Sequence, residues 1–186
     1  LRPLDRAGYH DVPFTTGILI GIGETWGERV DSLLAINELH LQYGHIQEVI
    51  VQNFCAKPGT AMANHPEPGL DDMLRTLVVA RLLLDPTISL QAPPNLQRRY
   101  AHYIDSGIND WGGISPLTLD HINPERAWPQ IDHLQRATAD CGYRLTERLA
   151  VYPPYQNLPN VYFSPLIADR IDAIARSDGL AAMQCA

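Results

Sequence analysis

Three apolar runs, each followed by a stretch of helical character, constrain the fold of this chain more than any other feature. "FTTGILIG" at residues 14–21 is a continuous apolar strand candidate. The helical period takes over from Glu28, with Val30, Leu33, Leu34 and Leu41 near one face, and Gly44 is placed to close that helix. "IQEVIVQNF" at 46–54 is the next strand, rich in β-branched residues. A Pro/Gly-punctuated loop leads from it to a strong helix over 70–85. "TISLQAPPNL" at 87–96 gives a shorter strand that Pro93 and Pro94 must end, because proline cannot donate to a ladder. Residues 97–108 and 124–143 read as helices, the second with Pro124 near its first turn, and 109–117 as a loop or short fourth strand.

Strands buried on both faces and alternating with helices mean parallel βα units, so the fold class is α/β. An open doubly wound sheet and a (β/α)₈ barrel both satisfy the pattern. A barrel takes about 250 residues, so these 186 would hold roughly its second half. Residues 1–155 are read as that half barrel, and 156–186 as a C-terminal tail with one helix candidate at 165–177. The opening "LRPLDRAGYHDVPF" reads as mid-chain sequence, which suggests a segment of something longer. A half barrel exposes strand edges, so the isolated chain is expected to be poorly soluble or oligomeric.

The net charge of −7 argues against a nucleic-acid partner, which would call for a basic stripe. No apolar run approaches the length of a membrane span, so no membrane partner is expected. Cys55, Cys141 and Cys185 are odd in number and far apart; they suggest neither a CxxC metal pair nor a disulfide framework. A reducing cytoplasm is the simplest setting.

Ligands of parallel α/β folds sit at the carboxyl ends of the strands. Gly21 and Gly23 occupy such an end and would let a ligand approach the backbone. Thr25 and Glu28 have capping-box spacing, which puts Glu24 just before a helix, near the positive end of its dipole. GxGxxG fails by one residue, and no Gly-Lys-Ser/Thr follows for a P-loop. Taken alone, the turn reads equally as a ligand cradle or as a glycine-rich turn with a helix-stabilising acid.

Gly17, Leu19, Gly21 and Glu24 fit the spacing G-x-[aliphatic]-x-G-x-x-E. That pattern resembles the fifth-strand motif of radical S-adenosyl-L-methionine (SAM) enzymes, which brackets the adenine and backs the methionine end of SAM. "EVIVQNFCAKPGTAM", "QAPPNL" and "GINDWGGISPLTLDHINPERAWP" sharpen the likeness. They are similar to the radical SAM family that makes the deazaflavin chromophore, 7,8-didemethyl-8-hydroxy-5-deazariboflavin (FO), in its CofG subunit or the corresponding half of a fused synthase. The likeness spans about residues 6–155, and "NDWGGISPLT" is its most specific element. Cys55 departs from it, standing where relatives are expected to carry a basic residue.

The resemblance implies a fold and a set of roles. The fold would be the second half of a radical SAM (β/α) TIM-type barrel. Gly17, Leu19, Gly21, Gly23, Glu24, Gln52, Asn53 and Phe54 would line the SAM pocket. Phe54 would cover adenine, although a strand-end aromatic more often packs into the core. Asn95, Asn109, Asp110, Trp111, Gly112, Gly113 and Ser115 would meet the substrate. On its own, Asn95 reads equally as a helix N-cap, and "NDWGG" as a tight turn over a buried indole. Among the seven histidines no HxH or HExxH spacing occurs, and only His121 is a candidate for proton transfer.

The implied reaction joins SAM and a [4Fe–4S] cluster, whose thiolate ligands in a CxxxCxxC loop are expected upstream of residue 1. A 5′-deoxyadenosyl radical would take hydrogen from 5-amino-5-(4-hydroxybenzyl)-6-(D-ribitylimino)-5,6-dihydrouracil, and ring closure with loss of ammonia would give FO, the coenzyme F420 chromophore. The implied partners are this small-molecule substrate, the N-terminal half of the same barrel and the companion subunit CofH, separate or fused. The enzyme would be a lyase; this segment alone is expected to be inactive, and no residue in it is nominated as catalytic acid or base. Two competing readings remain. A non-radical barrel lyase or hydrolase is weakened by Lys57 being the sole lysine. The other is a non-catalytic α/β small-molecule-binding module.

Overall fold

The computed structural model describes residues 1–115, 117–156, 158 and 163–182. Its elements run α1 (Arg2–Tyr9), β1 (Phe14–Ile20), α2 (Trp26–Tyr43), β2 (Ile46–Asn53), α3 (Leu70–Leu83), β3 (Ser89–Gln91), α4 (His102–Asp105), α5 (Ile131–Asp140), α6 (Pro153–Gln156) and α7 (Pro165–Ile174). The three strands form one parallel sheet in the order β1-β2-β3. This is an α/β architecture, compatible with part of a larger β/α fold.

Local signals set the best-defined boundaries. Thr25 caps α2 with a complete capping box to Glu28, and Gly44 ends that helix in the left-handed conformation at φ 67°. The expected Val30–Leu33–Leu34–Leu41 face needs correction, because Leu34 is 39% and Leu41 66% exposed. The side chains that α2 buries are Arg29, Leu33, Ile36 and His40, at the 3–4 residue spacing of one face. His40 is buried: its Nδ1 accepts the Ile46 N–H at 3.1 Å, so the proton on Nε2 faces Thr87 Oγ1 at 3.0 Å.

Prolines shorten what periodicity alone extended. The third strand ends at Gln91, and Pro94–Leu96 is a 3₁₀ turn. The helix expected over 97–108 is a single turn, α4. The helix expected from Pro124 starts at Ile131, since Pro129 disfavours helical geometry at Trp128 before it. The opening segment, given no element by its sequence, is α1, and its Gly8 lies so close to Tyr43 that a Cβ would stand 2.4 Å from the ring. The fourth strand is a lone parallel bridge between Gln91 and Asp110.

The strands differ in cover. β2 is buried on both faces, whereas β1 alternates, with Thr15, Gly17 and Leu19 exposed. The core gathers Ile20, Leu33, Ile36, Ile46, Val49, Val51, Met73 and Leu77 between the sheet and its helices. The segment after α5 returns across the sheet: Tyr155 donates to the Gly44 carbonyl at 3.0 Å, and Arg148 pairs antiparallel with Leu180. The tail helix is α7, ending at Ile174 rather than at 177. Cys185 lies outside the described residues.

Among the described residues β1 pairs only with β2, so its other edge has free backbone donors and acceptors. The isolated chain is expected to elute as oligomers in size-exclusion chromatography with light scattering. A stable monomer with one cooperative melt would overturn the half-barrel reading.

Candidate functional site

Parallel pairing in register sends all strand ends to one rim. Ile20 lies opposite Asn53, and the Phe54 N–H donates to the Ile20 carbonyl at 2.8 Å, so Gly21 and Phe54 leave the sheet side by side. The Gln91–Asp110 bridge brings Trp111, Gly112 and Gly113 to the same end. Gly17 is set apart: it lies mid-strand, where a Cβ would stand 2.1 Å from the Ile50 carbonyl oxygen. It also lines a groove of about 510 Å³ shared with Leu1, Leu4, Ile18 and Ile36, away from the rim.

Glu24 closes the turn it belongs to. Its carboxylate accepts the N–H groups of Gly21 and Ile22, both at 2.8 Å, and the Nε–H of Arg29 at 2.7 Å. Arg29, buried under α2, donates its remaining nitrogens to Asp72 at 2.8 and 3.0 Å and to Thr76 at 3.0 Å. One guanidinium thus ties the glycine turn to α3. Burial raises the Glu24 pKa, but the backbone amides and Arg29 outweigh it and hold the group at about 2, against an ordinary 4.5. Gly21 and Gly23 take φ of 86° and 108°, and a Cβ on Gly23 would meet nothing within 4 Å.

At the end of β2, Asn53 is buried and its Nδ2 contacts the Cys55 sulfur at 3.8 Å. Its Oδ1 is buried without a hydrogen-bond partner. Gln52 is half-buried, and Phe54 packs edge-on to His65 with centroids 5.7 Å apart. Burial pushes the Cys55 thiol up, so it stays protonated and unreactive.

The loops beyond the rim are stitched together. Asn95 donates to Asp120 at 2.9 Å and to the Arg126 carbonyl at 3.3 Å, while its Oδ1 also lacks a partner. Lys57 pairs with Glu125, and Arg126 with Glu67 at 3.3 Å. Asn95 therefore ties loops rather than capping a long helix. Asn109 accepts the Leu90 N–H at 2.8 Å through Oδ1, and Ser115 accepts the Thr118 N–H at 3.3 Å. Trp111 is buried, donates its indole N–H to Thr138 at 3.1 Å and meets Tyr100 edge-on. Its plane is therefore packed in the core. Gly112 takes φ 77° over the Gln91 amide, and Gly113 has open space where a Cβ would project. His121 is exposed.

Beneath the rim lies a polar floor that sequence reasoning missed. Glu48, 5% exposed on β2, accepts from Arg148 at 3.2 Å, Tyr152 at 2.9 Å and Thr15 at 3.2 Å. Asp110 shares Arg148 with it, and the single Tyr152 hydroxyl proton is divided between the two carboxylates. The one available sign was that Glu48 is the only charged residue of β2. Among the described residues, no three His, Cys, Asp or Glu side chains are grouped to hold a metal, and no helix is long and apolar enough to cross a membrane.

No protein-family model matches the chain. Curated relatives do. The chain is 50% identical over 182 residues to the 7,8-didemethyl-8-hydroxy-5-deazariboflavin synthase of Methanopyrus kandleri, covering 97% of itself and 54% of that protein. It is 50% identical over 176 residues to the FO synthase of Streptomyces avermitilis, and 49% identical over 177 to that of Mycobacterium tuberculosis. In both it covers 94% of itself, and 20% and 21% of the relative. The chain is thus a homologue of the FO synthases along nearly its whole length. It spans about half the length of the first relative and about a fifth of the other two.

Glu24→Gln is expected to destabilise the fold by about 1–3 kcal/mol at pH 7, the scale of charge-assisted hydrogen bonds. The Glu24 pKa is depressed in the folded state, so its contribution is full above the unfolded value of 4.5 and fades as pH falls toward 2. Urea denaturation across that range should show the gap between wild type and variant closing toward the acid end.

Proposed function

We propose that this chain forms the carboxyl-terminal half of a radical SAM barrel in an FO synthase, acting in coenzyme F420 biosynthesis in the cytoplasm. The supporting observation is the unspent Asn53 acceptor at the carboxyl end of β2, on the rim where the Gly21–Gly23 turn also leaves the sheet. A buried carbonyl oxygen without a donor costs free energy until a ligand supplies one. An adenine amino group is such a donor; Leu19, exposed on β1, lies opposite Gln52 and so on the other face of the sheet. The rim residues therefore fit the adenosyl part of SAM.

A [4Fe–4S] cluster needs grouped thiolates. Cys55 and Cys141, the free cysteines among the described residues, belong to no metal-holding group. The cluster ligands would lie in the part of the relatives that this chain does not span. Cluster and SAM together supply hydrogen-atom abstraction, and this chain's residues bind, orient and exclude water. Gln52, Asn53 and the Gly21–Gly23 backbone hold the cofactor, with Glu24 setting the turn. Asn95 offers its free Oδ1 to an N–H of the hydroxybenzyl-ribityl-dihydrouracil substrate, and the Gly112–Gly113 backbone forms the adjoining wall. Ring closure would then release ammonia. The N-terminal half of the same barrel and CofH, separate or fused, are the proposed protein partners.

In the complete synthase, Asn53→Ala should weaken SAM binding about tenfold, the worth of one hydrogen bond. Equilibrium dialysis reads this directly. Asn95→Ala should raise the substrate KM while leaving SAM affinity unchanged. Undiminished SAM affinity in Asn53→Ala would remove the observation that supports this reading.

A further inference from the structure

We propose that Arg148 and Tyr152, on the segment that returns across the sheet, are positioning residues for the loop from Asp110 to Gly113. The inference rests on the proposed role of that loop as substrate wall. The loop meets the sheet through a lone backbone bridge, Gln91 to Asp110, and a long contact from the Gln91 amide to the Trp111 carbonyl at 3.5 Å, so no ladder fixes its position. Asp110 is held instead from its side chain. One carboxylate oxygen accepts Arg148 Nη2 at 3.0 Å and the Gly112 N–H at 2.6 Å. The other accepts Arg148 Nε and the Tyr152 hydroxyl at 2.9 Å.

Asp110 is therefore a hub inside the protein, with both oxygens occupied. Its bond to the Gly112 N–H sets the left-handed turn that exposes the Gly112–Gly113 backbone. Gly112 packs closely over the Gln91 amide, where a Cβ would stand 1.9 Å away, so no larger residue fits this turn. The clamp is anchored at its far side. Arg148 Nη2 also reaches Glu48 on β2, Nη1 donates to the Leu149 carbonyl at 3.0 Å, and the guanidinium carbon lies 4.1 Å above the Tyr152 ring. The Tyr152 N–H donates to Gln47 Oε1 at 3.3 Å, fixing the segment to β2 a second time. Loop placement thus follows the returning segment, and Arg148 and Tyr152 act through Asp110 without touching the substrate.

The test uses the complete synthase carrying Arg148→Met, Arg148→Lys or Tyr152→Phe. Hydrogen exchange by mass spectrometry is read on the 109–115 peptide, and KM, kcat and SAM affinity are measured beside it. In Arg148→Met, exchange at the loop is expected to rise about tenfold with β2 unchanged, the signature of a local opening. The substrate KM should rise about tenfold, with kcat within about twofold and SAM affinity constant. Arg148→Lys should recover part of the loss, because an ammonium cannot bridge two carboxylates as the planar fork does. Should Arg148→Met fail to fold, Tyr152→Phe decides: it keeps the ring over the guanidinium and removes only the shared hydroxyl, with the same direction at about threefold. Loop exchange that stays at the wild-type rate, or that rises equally in β2, would overturn the clamp. Loop exchange that rises while KM stays constant would uphold the clamp and overturn the substrate-wall reading.

Discussion

A carboxylate on a central strand that is itself buried on both faces is the constraint around which this structure is arranged. Glu48 lies in register with Thr15 and Ser89, away from solvent, and burial pushes its pKa up. An ionised group in that place costs several kcal/mol unless a cation and further donors reach it. Arg148 and Tyr152 are those partners, and nearby carboxylates and burial keep the tyrosine hydroxyl protonated as a donor. The segment carrying them is thereby committed to the sheet, and Asp110 with it. One acid in β2 thus governs where the loop after β3 and the chain's return both lie.

Elements that depend on neighbours in sequence were legible; those that depend on distant partners were not. The capping box at Thr25 and Glu28, the Gly44 stop and the bounds of β2 are set within a few residues, and each is read from its own stretch. Arg29 meets Asp72 across 43 positions and Arg148 meets Glu48 across 100, and no local pattern announces either. Periodicity also misjudged which leucines of α2 are covered, because cover depends on where α1 and α3 lie. Pro93 and Pro94 read as the stop of β3, and the strand ends before them, whereas at Pro129 the helical pattern runs on across the proline and leaves the late start of α5 unread.

The candidate site divides the same way. Sequence placed Gly21, Asn53, Asn95 and Gly113 on one rim because parallel βα topology fixes which end of a strand faces a ligand. It did not distinguish polar groups already engaged from those still available. Glu24, Asp110 and the Trp111 indole are engaged within the fold, whereas Asn53 Oδ1 and Asn95 Oδ1 are not.

The Tyr155 contact to Gly44 joins residues 111 positions apart. Contacts of that span make folding wait on synthesis. A ribosome that has delivered all three strands has still not delivered the cation that neutralises their centre. Until Arg148 emerges, the nascent sheet must either hold Glu48 protonated or keep that face wet. The stretch that carries Arg148 is therefore what turns a loosely assembled sheet into a closed one.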